Sequence, residues 1–108
     1  RTEVQRRVRA LLARWVREAR AAEGDAEATR VAIARLCRAL ELSHPFPDAN
    51  ARTVCTLALH KLLLERGFGP VVLDTPFALE GYYSAREAAA LLMRGEANVA
   101  RVRAAFGA

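Results

Sequence analysis

The chain reads as an all-α fold, and three observations predict it. Four stretches repeat their apolar residues at three- and four-residue intervals, the period of a helix buried on one side. Helix punctuation falls between them: Gly24 with Asp25, then Gly67, then Ser84 followed by Glu87. No run alternates apolar and polar residues over the length of a useful strand. At 108 residues the chain has room for a single domain, 1–108, around one modest core.

The first helix is expected from about Thr2 to Ala22, with Val4, Val8, Leu11, Leu12, Trp15, Val16 and Ala19 on one apolar face. Gly24 supplies its stop, and Asp25 caps the next helix. That second helix spans about Ala26 to Leu42. Val31, Ile33, Ala34, Leu36, Cys37, Leu40 and Leu42 make it apolar on more than one face, which predicts burial. It ends at Ser43-His44-Pro45, because the residue before proline is pushed out of the helical region. The third helix starts near Asn50 or Ala51 and ends at Arg66. With Val54, Leu57, Ala58, Leu59 and Leu62 to Leu64 it is the most apolar segment, and it is expected at the centre of the bundle. Phe68 to Leu73 reads as an extended exit. Ser84 and Glu87 form a capping box that opens a short helix to about Arg94. Gly95 is expected to interrupt it, with a last turn or two from about Ala97 to Phe106.

The net charge is +5, and residues 1–22 carry all of it: seven arginines against Glu3 and Glu18. This basic helix reads first as the solvated side of an amphipathic helix, with nucleic acid or an acidic partner as the other reading. Cys37 and Cys55, the only cysteines, lack metal-type spacing and read as buried, reduced thiols, which favours a reducing compartment. No segment is long and apolar enough to span a membrane, and no signal peptide is evident. The first residue is Arg rather than Met, which reads as a piece of a longer protein.

One loop concentrates the chemistry: His44-Pro-Phe-Pro-Asp-Ala-Asn-Ala-Arg52. It feeds directly into the third helix, whose first N–H groups and macrodipole favour an anion. Ala49 and Ala51 leave room for a phosphate to approach the backbone. Arg52 can fork onto its oxygens and Asn50 can donate to it. Asp48 is an oxygen ligand suited to magnesium, and His44 has the natural pKa of a base near neutrality. Phe46 would pin the loop to the core. Singly, each residue has a plainer reading: Asp48 or Asn50 as an N-cap, His44 as a loop histidine, Arg52 as an exposed helix charge. Elsewhere, His60 and Trp15 read as structural residues. Tyr82 and Tyr83 read as helix-entry packing or as the lining of a base pocket.

The loop resembles the motif of the Fic family: His-Pro-Phe, two residues, Gly-Asn-Gly-Arg, two residues, Arg. Val8 to Val16 is similar to the helix before the family's buried pair, and Gly67 to Leu73 to its exit from the motif helix. Tyr82-Tyr83, Arg94-Gly95-Glu96 and Phe106 echo its closing helices. The resemblance implies a helical bundle in which two central buried helices are joined by the active-site loop. It also implies AMP transfer from ATP to a Ser, Thr or Tyr hydroxyl of a target protein. His44 would be the general base, Asp48 would hold Mg2+, and Phe46 would anchor the loop. Ala49, Asn50, Ala51 and Arg52 would form the phosphate cradle.

Three positions depart from the motif. Ala49 and Ala51 replace its glycines, and Cys55 stands where its second arginine belongs. Alanine at the first position is shared with the Doc branch, which phosphorylates its target. The alternatives are therefore a Doc-like phosphotransferase, or transfer of another nucleotide-derived phosphate group, and a non-catalytic binding module of the same fold. The family's self-inhibitory motif is missing, since Ala19 stands where Ser or Thr is needed before Glu23-Gly24. That leaves room for a separate inhibitor protein. The β-hairpin flap that holds the target is expected upstream of Arg1. The expected partners are a nucleotide and a target protein, with neither membrane nor nucleic acid among them. The expected setting is the cytoplasm or, for a toxin or effector, the interior of a host cell.

Overall fold

The structure is a computed structural model that describes residues 2–43, 57–75, 78–79 and 81–107. Four α-helices occur among these: α1 (Thr2–Ala21), α2 (Ala26–Ser43), α3 (Leu59–Glu65) and α4 (Ala85–Ala105). No strand occurs among the described residues, so the all-α class holds.

The local signals act as expected. Gly24 and Gly67 both sit at φ 85°, the left-handed conformation that ends a helix without a Cβ penalty. Asp25 caps α2: its Oδ1 accepts the Ala28 N–H at 3.0 Å. Thr29, buried one turn on, donates its hydroxyl to Asp25 O at 2.8 Å and lies 3.1 Å from Ala22 O. The turn between α1 and α2 is thus sealed from both sides. At α4 the capping box is reciprocal: Glu87 N–H donates to Ser84 Oγ at 3.1 Å, and Ser84 N–H donates to Glu87 Oε1 at 2.8 Å.

The hub of the fold is α2, which packs against all three other helices. Its Ile33 and Cys37 are fully buried, as are Leu59 and Leu63 of α3, Leu79, and Leu92 of α4. Each such large side chain is worth about 1.5–3 kcal/mol of burial. Trp15 and Ala19 seat α1 on this core, and the Arg66 guanidinium lies 5.3 Å from the centre of the Trp15 ring. Opposite, Arg30 of α2 makes a forked pair with Glu96 of α4 at 3.0–3.2 Å and covers the Phe68 ring at 4.5 Å.

Two expectations are corrected. The fourth helix does not break at Gly95. It runs unbroken from Ala85 to Ala105 because Gly95 is a packing surface: a Cβ there would meet Val71 Cβ at 2.8 Å and Val72 O at 3.2 Å. Nor does the whole apolar face of α1 turn inward. Leu12 and Val16 are exposed, because the stripe is wider than the one helix that covers it. The described part of the third helix packs on α2 through the fully buried Leu59 and Leu63, with Leu64 facing outward, and its expected start near Asn50 or Ala51 lies outside the described residues.

Candidate functional site

The sequence places the candidate chemistry immediately after α2. His44, Phe46, Asp48, Ala49, Asn50, Ala51 and Arg52 all lie outside the described residues, and so does Cys55. What the structure describes is the frame on either side.

On the leading side, α2 runs to Ser43, whose Oγ donates to Ala39 O at 2.8 Å. Glu41, three residues before His44, is only 4% exposed. Its burial follows from helix period: Ile33, Cys37 and Glu41 stand four residues apart on one stripe, and the first two are fully buried. A carboxylate is rarely held inside without compensation, so a glutamate on that stripe is a specific choice. Leu42, beside it, lies against Gly81, where a Cβ would meet Leu42 Cδ2 at 3.2 Å.

On the trailing side, residues 57–58 form a π-type turn and Ala58 has helical dihedrals with no side-chain cap. Helical backbone is therefore already established before Leu59. His60 faces the exit segment and accepts the Val71 N–H at its Nε2, at 3.3 Å. It is a structural histidine, as its place in the apolar helix suggested.

The exit segment is then clamped to α4. Val72 N–H donates to Gly95 O at 3.1 Å, and Asn98 Nδ2 donates to Val72 O at 2.7 Å. Asn98 also donates to Asp74 Oδ1 at 2.9 Å, and Arg94 Nε pairs with Asp74 Oδ2 at 2.7 Å. These bonds, that from Asn98 foremost, hold the Asp74 carboxyl below its ordinary value of 3.8. At the entry to α4, Arg38 of α2 donates from Nε to Tyr83 O at 2.8 Å. Tyr83 is thereby fixed through its backbone, while Tyr82 is 75% exposed, so neither tyrosine is packed into the core.

Residue reasoning missed several of these. Arg30 is one of three arginines of α2, with Arg35 and Arg38, and nothing local marks it as the one held against α4. Its partner Glu96 is sixty-six residues away, so the pairing itself was not readable. Glu41 could have been found from its spacing to Ile33 and Cys37.

An open groove of about 440 Å3 runs along the first half of α2, lined by Ala22, Ala28, Glu18, Arg35 and Arg86 among others. Arg35 Nη1 is tied to Glu18 there at 2.8 Å. No cluster of three His, Cys, Asp or Glu side chains able to hold a metal occurs among the described residues. No described helix is long and apolar enough to cross a membrane. Comparison with known proteins yields no match to a family model, a curated protein or a solved structure.

Proposed function

We propose that this chain transfers AMP from ATP to a Ser, Thr or Tyr hydroxyl of a target protein. One observation carries the reading: the segment from His44 to Arg52 holds a base, a carboxylate, an amide and a guanidinium in the order and spacing that resemble the Fic motif. The frame supports it. The loop follows directly from α2, the helix on which the rest of the fold packs, and a hub of that kind can hold a reacting geometry steady.

In this reading His44 takes the proton of the target hydroxyl. The hydroxyl oxygen bonds to the α-phosphorus of ATP, the α–β phosphoanhydride bond breaks, and pyrophosphate leaves with the electron pair. Asn50 and the backbone from Ala49 to Ala51 receive the phosphate oxygens, and Arg52 neutralises their charge. Asp48 is the residue that would hold magnesium, which when bound offsets the charge of the phosphates. Phe46 anchors the loop.

A second reading is favoured by Ala49 and by Cys55. Alanine at the first glycine position is the Doc-like choice, and loss of the second arginine removes a group expected to orient the outer phosphates. Transfer would then break the β–γ bond and leave a phosphoryl group on the target. Parallel incubations with α-labelled and γ-labelled ATP separate the two. Label from the α-position on the protein supports AMP transfer, and label from the γ-position alone replaces it with phosphorylation. Calorimetry without any magnesium-dependent nucleotide binding would instead leave a non-catalytic binding module.

A further inference from the structure

One flank of α1, beside the buried stripe, carries two neighbouring apolar residues that the described structure leaves half-exposed. Leu12 is 45% exposed and Val16 is 49% exposed. They follow Gln5 and Arg9 and precede Arg20, at intervals of four, three, four and four residues. That spacing keeps all five on one nearly straight line along the helix, the line a second helix would follow. The buried stripe of Trp15 and Ala19 faces α2 instead.

The charge on this side is one-signed. Glu3 is taken by Arg6 and Arg7, and Glu18 by Arg14 and Arg35. Among the described residues, Arg9, Arg17 and Arg20 form no ion pair. Both glutamates of α1 are thus consumed at its edges, and the row through Leu12 and Val16 is bordered by uncompensated guanidinium groups.

We propose that this side of α1 docks an acidic amphipathic helix of a partner protein. The partner's leucine-like residues would cover Leu12 and Val16, and its carboxylates would meet Arg9, Arg17 and Arg20. Two branched apolar side chains in the middle of the row suit a helix better than a nucleic acid, whose phosphates would leave them unused. They are too few for the broad apolar face with which a helix lies in a lipid surface. A second copy fits poorly through the same row, because its own Arg9, Arg17 and Arg20 would bring like charge against like. The inference is independent of the chemistry proposed for the loop.

The test uses the full chain and a labelled synthetic peptide of about three heptads, with leucines at the seam and glutamates flanking them. A scrambled peptide of the same composition, duplex DNA and phosphatidylserine vesicles serve as the other arms. Fluorescence anisotropy at physiological salt should give saturable binding of the patterned peptide. It should be about tenfold or more tighter than binding of the scrambled one. Leu12→Ser with Val16→Ser leaves the charge unchanged and should weaken binding about tenfold. Arg9→Glu with Arg20→Glu should weaken it at least as much. Both pairs lie on the exposed side, and circular dichroism checks that the helices persist; if one pair unfolds the chain, the other carries the test. The proposal is overturned by equal binding of the scrambled peptide, by wild-type affinity in a folded double variant, by no saturable binding, or by tighter binding of DNA or vesicles.

Discussion

Gly95→Ala is a case in which the usual rule for helices should reverse. An interior helical glycine replaced by alanine normally gains about 1 kcal/mol, because alanine loses less backbone entropy and covers the helix better. Here the new Cβ would stand 2.8 Å from Val71 Cβ and 3.2 Å from Val72 O. Neither is the far end of a flexible side chain, so the exit segment as a whole must move. Crowding of this kind costs about 1–3 kcal/mol. Movement also endangers the Val72 N–H to Gly95 O bond and the Asn98 bond to Val72 O, each worth roughly 0.5–1.5 kcal/mol. The net expectation is destabilisation of about 1–3 kcal/mol. Urea denaturation followed by circular dichroism measures it, with Ala97→Gly on the exposed side of α4 reporting the propensity term alone. The close contact is with the Cβ of Val71 itself, so Val71→Ala would not relieve it and Val71→Gly would. In the Val71→Gly background only the 3.2 Å approach to Val72 O remains, so Gly95→Ala should cost less than it does in the wild type, a coupling read by a double-mutant cycle. If Gly95→Ala is as stable as the wild type or more so, the exit segment does not lie on α4 as described.

Two further outcomes follow from the same frame. Arg30→Ala should destabilise by about 1–3 kcal/mol, more than Glu96→Gln, because it removes both the fork to Glu96 and the cover of Phe68; thermal melts of the single and double variants should reveal their coupling. The lowered Asp74 pKa gives a pH signature whose sign is determined: the carboxylate's contribution is present above its unfolded value and is lost as pH falls from 3.8 through the lower folded value. Acid unfolding curves of the wild type and Asp74→Asn should therefore converge at low pH, and curves that stay parallel throughout would contradict the clamp.

How far the sequence carried the fold depended on whether the controlling contact was local. Ser84 and Glu87, Asp25, and the left-handed Gly24 and Gly67 act within one turn of chain, and each behaves as read. Trp15 was legible because it sits amid a strong stripe. Gly95 was not, since glycine inside a helix looks like a break unless the segment crossing it is known. The outward turn of Leu12 and Val16 escaped for a related reason: periodicity shows how wide an apolar stripe is, but not how much of it a neighbour covers. Leu64 repeats that lesson in α3. The candidate site residues were named from residue type and spacing alone. The positions from His44 to Arg52 lie outside the described residues, and the described frame adds the buried Glu41 and the hub helix leading into them.

The proposed transfer depends most directly on His44 as the base. Wild type and His44→Ala are incubated with magnesium, α-labelled ATP and a panel of proteins with exposed hydroxyls, and adduct is read by label and by intact mass. The wild type should show an adenylyl mass increment, and His44→Ala should lower transfer by roughly 10²–10⁴ while retaining nucleotide affinity by calorimetry. Transfer by His44→Ala at the wild-type rate would contradict that role for His44.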